Sequence, residues 1–355
     1  MAETPTVSIV IPAYNEAPCL AKLHRELRNV CDALPYQCEF IFVNDGSTDE
    51  TDKVLADLRV EDDRVRYLVM SRNFGHQGAI SAGLAFAAGD AVIMMDGDLQ
   101  HPPSLIPRLL ECWEAGYEVV NTVRLETEDG SFGKKLSSRA FYWVFRALTG
   151  FPIEPGSADF RLMAREPLDA LNGLPERHRF IRGLVPWLGF RQTSVSFRAP
   201  ARWAGRPKFT FGRSARLALE GVTAFSLYPL RSVAILGMIV TAASSAYGSL
   251  AVVRQVLGGQ TVTGWTSLMI CVLFFGGCQL ATLGIISEYL GRTLDQVKGR
   301  PLYILRSANG FPPPDHAESG AIPPPHFSRA GVRPAGAGSR PGRHEVHSMG
   351  QAETA

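Results

Sequence analysis

A marked charge excess is missing from this chain: 36 Lys and Arg face 34 Asp and Glu over 355 residues, a formal net charge of +2. A balance this close gives no bulk electrostatic case for binding nucleic acid, and none is expected as a partner. Paired cysteines are also missing. The six present (Cys19, Cys31, Cys38, Cys112, Cys271, Cys278) form no C-x-x-C pair and no metal-ligand cluster with histidine, so reduced structural thiols in a cytosol-facing protein are expected. The first residues, Met-Ala-Glu-Thr-Pro-Thr, lack the basic and apolar regions of a signal peptide. No internal repeat is evident. Long apolar runs are scarce before residue 231 and crowd into 232–290.

What is there begins with alternation. Strand-like runs at Val7–Ile11, Glu39–Val43, Val65–Met70 and Asp90–Met95 are separated by helix-like segments at Ala17–Ala33, Glu50–Leu58 and Gly78–Ala88. This rhythm predicts an α/β fold built on a doubly wound, mainly parallel sheet, whose ligands sit at the carboxyl ends of its strands. Three of those ends carry polar residues: Asn15-Glu16, Asn44-Asp45-Gly46-Ser47 and Asp96-Gly97-Asp98. Val119–Val123 reads as a further strand, Phe132–Leu148 as an amphipathic helix, and Phe180–Trp187 and Gln192–Phe197 as shorter elements.

The late apolar segments span about 232–253 and 265–287, each long enough for a hydrocarbon core of ~30 Å. Arg231 precedes them and Arg292, Lys298, Arg300 and Arg306 follow, against Arg254 alone between them, which places both ends on the cytoplasmic side of an inner (plasma) membrane. The expected order is a globular domain over 1–210 and a juxtamembrane amphipathic helix over 211–230. Two transmembrane helices over 231–290, a basic segment over 291–306 and a disordered Pro/Gly/Ser-rich tail over 307–355 follow.

The most informative stretch is Met94-Met95-Asp96-Gly97-Asp98-Leu99-Gln100. A buried strand ends here in two carboxylates at i and i+2, a spacing that lets both face one point. Hard cations such as Mg²⁺ or Mn²⁺ take oxygen ligands and share them with substrate phosphates, so a metal-bound diphosphate is one reading. Asp-Gly-Asp is equally good turn chemistry, and the residues alone leave both readings open.

Three blocks decide between them. Val7–Glu16 (VSIVIPAYNE), Phe42–Asp49 (FVNDGSTD) and Asp96–Pro103 (DGDLQHPP) resemble, in this order and spacing, the family 2 glycosyltransferases of the GT-A fold. The resemblance implies a nucleotide-sugar donor whose diphosphate rides on a divalent cation, Mg²⁺ or Mn²⁺, held by Asp96 and Asp98, with Asp98 the chief ligand. Pro12, Ala13, Tyr14 and Glu16 would line the nucleoside pocket, Asp45 would bond the uracil or ribose, and Gln100 would complete the sugar-diphosphate site.

Ser71–Gly78 (SRNFGHQG), Ala158–Leu162 (ADFRL), Arg179–Gly183 (RFIRG) and Trp187–Gly189 (WLG) are similar to one branch, the polyprenyl-phosphate glycosyltransferases of the dolichol-phosphate mannose synthase and bactoprenol glucosyltransferase type. The likeness covers roughly residues 6–306. It implies an acceptor lipid phosphate at Arg124, Ser138 and Arg139, and a diphosphate-binding loop at Arg202–Phe209 using Arg202 and Lys208. Pro207 stands where a serine usually precedes that lysine, removing a backbone donor. Asp159 matches a carboxylate near the reaction centre; orienting a hydroxyl, acting as base and pairing Arg161 all stay open. The implied reaction is inverting transfer of a hexose, with UDP-hexose favoured, to a membrane polyprenyl phosphate, by a homotetramer. A processive polysaccharide synthase and a non-catalytic membrane scaffold are the alternatives; the chain lacks the Q-x-x-R-W motif of the first.

Overall fold

The computed structural model describes residues 4–125, 156–200 apart from 178 and 199, and 264–311, with isolated positions between 230 and 257. Among the described residues eight strands form one sheet: β1 Thr6–Ala13, β2 Gln37–Asn44, β3 Val65–Met70, β4 Ala91–Met94, β5 Val119–Arg124, β6 Ser157–Ala164, β7 Gln192–Phe197 and β8 Leu305–Asn309. The described helices are α1 Ala17–Cys31, α2 Thr51–Glu61, α3 His76–Phe86, α4 Ile106–Glu114, α5 Arg165–Gly173, α6 Ile181–Trp187 and α7 Trp265–Val297.

The strand order is β7-β5-β6-β4-β1-β2-β3-β8. At its centre β4, β1, β2 and β3 run parallel. β1 and β2 are buried along nearly their whole length, because helices cover both faces. Against one face pack Leu20, Leu23 and Leu27 of α1, Leu55 of α2 and Leu109 of α4, over Ile9, Phe40, Phe42 and Phe160. Against the other pack Ile80 and Leu84 of α3, Leu168 of α5 and Leu184 of α6, over Val10, Val43 and Met94. Gly83 lets α3 lie directly on β1, since a Cβ there would collide with the Val10 side chain.

Three features correct the sequence expectations. The parallel centre, and the parallel β5–β7 pair, are joined by antiparallel strands the sequence did not indicate: β6 between β4 and β5, and β8 beside β3. The strand β6 escapes the sequence reading because it buries Asp159 and Arg161, so its alternation is apolar against charged instead of apolar against exposed. The tail expected from 307 begins inside the sheet. Ser307, Ala308 and Asn309 pair with Val69, Leu68 and Tyr67, and Phe311 meets Phe86 edge-on at 5.0 Å with Arg66 over its ring.

The amphipathic helix expected at 132–148 and the juxtamembrane helix at 211–230 lie outside the described residues, as do 312–355. The first apolar segment, 232–253, lies largely outside them. The second falls in α7, whose 33 residues extend about 50 Å at the α-helical rise. Among the described residues no helix is long and apolar enough to cross a membrane. The far end of α7 is docked: the Gln296 side chain accepts from the Arg177 amide at 3.1 Å and donates to the Pro175 carbonyl at 2.8 Å.

Candidate active site

The carboxyl ends of β1, β2, β4 and β5 open on one edge of the sheet, and the start of the antiparallel β6 returns to that edge. The β4–β6 register sets Met94 beside Arg161, which carries Asp159 toward the Asp96 end of β4.

The loops after β1 and β2 are stitched together. Asn15, in the left-handed region at φ 56°, accepts the Thr48 amide at 2.8 Å, while the Ser47 hydroxyl accepts the Asn15 amide at 3.0 Å. Asp49 accepts from the amides of Thr51 at 3.1 Å and Ala17 at 3.4 Å, so it caps this junction. Pro12 and Ala13 are buried at the mouth, Glu16 is half-buried and Tyr14 is exposed. Asp45 is buried, and its two carboxylate oxygens accept the amides of Phe74 at 2.7 Å and Gly75 at 3.0 Å. Burial pushes its carboxyl up, with those two amides pulling against that effect. Asp45 thereby fixes the turn that starts α3. Gly46 beside it has φ +65°, and a Cβ there would sit 2.5 Å from the Arg72 carbonyl carbon.

Asp96 and Asp98 are both half-buried. Asp98 accepts the Gln100 amide at 3.1 Å, and the next residue, Leu99, takes φ 62°, held in that left-handed conformation as its side chain enters the core. A β-unbranched but bulky residue at positive φ is strain stored beside a candidate site. Two histidines bracket Asp96. His101 accepts the Asp96 amide through Nδ1 at 2.9 Å, so its hydrogen is on Nε2, which faces Asp96 Oδ2 at 3.7 Å. His101 is buried and stacked on Phe160 at 5.2 Å, and burial holds its pKa below the ordinary histidine value. From the other side His76 Nε2 stands 3.5 Å from Asp96 Oδ1 and 3.3 Å from Asp159 Oδ2. Burial disfavours charge on His76, but the Asp159 hydrogen bond and the Asp96 carboxylate outweigh it and raise its pKa.

Asp159 is 5% exposed and gripped by Arg182, Nε to Oδ1 at 2.7 Å and Nη2 to Oδ2 at 2.8 Å. Burial alone would raise its carboxyl; His76 and Arg182 overcome that and hold it well below the usual carboxylate range. Of the roles open in the sequence, pairing with Arg161 is replaced by pairing with Arg182. Arg161 is 1% exposed, its Nε and Nη1 making no hydrogen bond among the described residues, and burial lowers its pKa to about 10.

The structure thus brings Asp96, Asp98, Gln100, Asp159 and the β1 and β2 loop residues to one edge. Arg124 is exposed at the end of β5, on the same edge. Ser138, Arg139, Arg202, Pro207 and Lys208 lie outside the described residues. Sequence reasoning does not single out His76, His101 or Arg182, although each lies inside one of the family-like motifs; His101 alone stands near the acidic positions in chain order, and the other two reach them only through the fold.

Two half-buried carboxylates at a strand end suit a hard divalent cation that completes its shell with phosphate and water. Among the described residues no group of three or more His, Cys, Asp or Glu could hold a metal ion by itself, so a cation on Asp96 and Asp98 would draw its remaining ligands from a substrate and solvent.

Residues 8–171 match the glycosyl transferase family 2 profile. An uncharacterized glycosyltransferase of Synechocystis sp. is 42% identical over 84% of this chain and 94% of its own length. The SfII prophage-derived bactoprenol glucosyl transferase of Shigella flexneri is 37% identical over 85% of this chain and 98% of its own. Among solved structures, mannosyl-3-phosphoglycerate synthase from Rubrobacter xylanophilus is 19% identical at a TM-score of 0.45, over 64% of this chain and 74% of that one.

Proposed function

The chain belongs to glycosyl transferase family 2, and from that premise we propose that this glycosyltransferase moves a hexose from a nucleotide sugar, UDP-hexose being favoured, to the phosphate of a membrane polyprenyl phosphate. The observation that carries the reading is the meeting of Asp96 and Asp98 with the Asp159–Arg182 pair at one sheet edge. The acceptor class follows relatives named for bactoprenol glucosyl transfer.

A phosphate monoester has a second pKa of about 6, so the acceptor oxygen is already a nucleophile near neutral pH and needs no strong base. That oxygen forms the new bond to the anomeric carbon as the bond from that carbon to the diphosphate breaks, and the nucleoside diphosphate leaves with the electron pair. In-line displacement inverts the anomeric centre. Catalysis is then positioning and charge neutralisation. Pro12, Ala13, Tyr14, Glu16 and Asp45 hold the nucleoside; Gln100, Arg202 and Lys208 hold the sugar diphosphate; Arg124, Ser138 and Arg139 receive the acceptor phosphate. Asp96 and Asp98 would hold Mg²⁺ or Mn²⁺, whose charge offsets that of the departing diphosphate. With its carboxyl held ionised by Arg182 and His76, Asp159 orients its neighbours rather than taking up a proton.

The membrane location rests on the apolar composition of 232–253 and 265–287 and on the exposed Leu268, Val272, Phe274, Leu280 and Leu283 of α7. Basic residues at both outer ends of these segments favour a cytoplasmic catalytic domain. The test is mass spectrometry of lipid extracts after incubating membranes with undecaprenyl phosphate, Mg²⁺ or Mn²⁺, and UDP-glucose, UDP-galactose or GDP-mannose separately. A polyprenyl-phosphate hexose in one tube, lost with Asp98→Asn, is the expected result. A scaffold gives no product while keeping its partners.

A further inference from the structure

We propose that His76 is a positioning residue that couples the cation-side carboxylate Asp96 to Asp159 by dividing a single N–H between them. This deepens the cation-assisted transfer proposed above and rests on it. Its Nε2 lies 3.5 Å from Asp96 Oδ1 and 3.3 Å from Asp159 Oδ2. Two carboxylates facing one ring nitrogen require that nitrogen to carry its hydrogen, and one hydrogen cannot serve both fully. The hydrogen bond is made to Asp159, and Asp96 Oδ1 stands slightly farther off as the competing acceptor; both distances lie beyond the 2.7–3.2 Å of a well-formed N–H···O bond.

The backbone beneath the ring is fixed from two sides. Asp45 holds the Phe74–Gly75 turn immediately before it, and the Gln77 side chain accepts the Ile181 amide of α6 at 3.3 Å. His76 therefore answers only by turning its ring. A cation that takes Asp96 Oδ1 leaves the N–H to Asp159 alone, tightening the carboxylate that orients Arg182. Conversely, weakening Asp159 as acceptor leaves the N–H to Asp96, where it competes with the cation. The other contacts of the two carboxylates stay as they are: Arg182 keeps Asp159, and His101 keeps the far oxygen of Asp96.

The experiment is a Mn²⁺ titration of the full chain in detergent, followed by the EPR signal of free Mn²⁺, on wild type, Asp159→Asn, His76→Ala and the double variant. Asp159→Asn should weaken Mn²⁺ binding about three- to tenfold, the worth of one ordinary hydrogen bond. In the His76→Ala background the same change should cost less than about twofold, and His76→Gln, which keeps an N–H, should restore part of the difference. Should His76→Ala not fold, His76→Phe fills similar space without a donor and takes its place in the cycle. An equal loss in both backgrounds overturns the coupling while leaving the sugar-transfer reading standing. Absence of Mn²⁺ binding to wild type overturns the coupling together with the cation part of that reading.

Discussion

Arg182 holds Asp159 through both carboxylate oxygens, at 2.7 and 2.8 Å, from a helix that begins at Ile181. A planar fork matched to a carboxylate fixes direction as well as charge, and His76 adds a third contact to the same group. The result is a carboxyl held well below the usual carboxylate range.

Kinetics should show this directly. Asp159→Asn is expected to lower kcat by about 10- to 100-fold at every pH, by loosening Arg182 and His76. A depressed carboxyl is ionised well below pH 5, so the acid limb of the pH–rate profile should keep its midpoint in the variant. Loss of that limb would instead make Asp159 a base. Arg182→Lys, which keeps the charge and loses the fork, should cost about tenfold.

Asp98→Asn should reduce product formation by at least about 100-fold and remove the response to added Mg²⁺ or Mn²⁺. Asp96→Asn should cost less, because the oxygens of Asp96 already face two histidines that compete with a cation for them. Comparing initial rates across cation concentrations separates the two.

Gly46→Ala adds a Cβ 2.5 Å from the Arg72 carbonyl carbon at a φ of +65°. The neighbour is backbone and cannot turn aside, so the β2 and β3 loops must part. Thermal unfolding should show a loss of at least about 2 kcal/mol, left-handed strain alone accounting for about 1–2.

On the far side of the sheet, Asp62 is buried between His24 at 3.1 Å and Arg64 at 2.9 Å. Burial raises its carboxyl, but the Arg64 contacts prevail and bring it to about 2. A depressed carboxylate stabilises the fold above its unfolded value near 3.9, and that contribution disappears as pH falls toward 2. Asp62→Asn should therefore cost about 2 kcal/mol at pH 7, with the gap to wild type closing between pH 4 and pH 2 in denaturant titrations.

The strands β1 to β4 are legible in the sequence because helices on both faces make them continuous apolar runs, and the polar residues at their ends mark the binding edge. β6 is not, because its inner face carries Asp159 and Arg161. Nor is β8: Leu-Arg-Ser-Ala-Asn is an edge strand with little to bury. The carboxylates Asp96 and Asp98 can be found from spacing and resemblance. Their histidine neighbours cannot, since His76 and His101 reach them only through a glycine-led helix start and a tight turn whose geometry no periodicity records. Arg182 requires knowing that α6 lies over the start of β6.

The pairing of β8 with β3 also fixes an order of events in the cell. A ribosome emits seven strands of the sheet and then the 33-residue helix α7 before the eighth strand exists. Until then the β3 edge presents open backbone groups that invite pairing with any other chain. The closing strand follows α7 within eight residues, and the end of α7 is held where Gln296 meets Arg177 and Pro175, so the docked helix delivers β8 beside β3. A nascent chain whose late helix is misplaced keeps a bare sheet edge and becomes a substrate for aggregation and proteolysis.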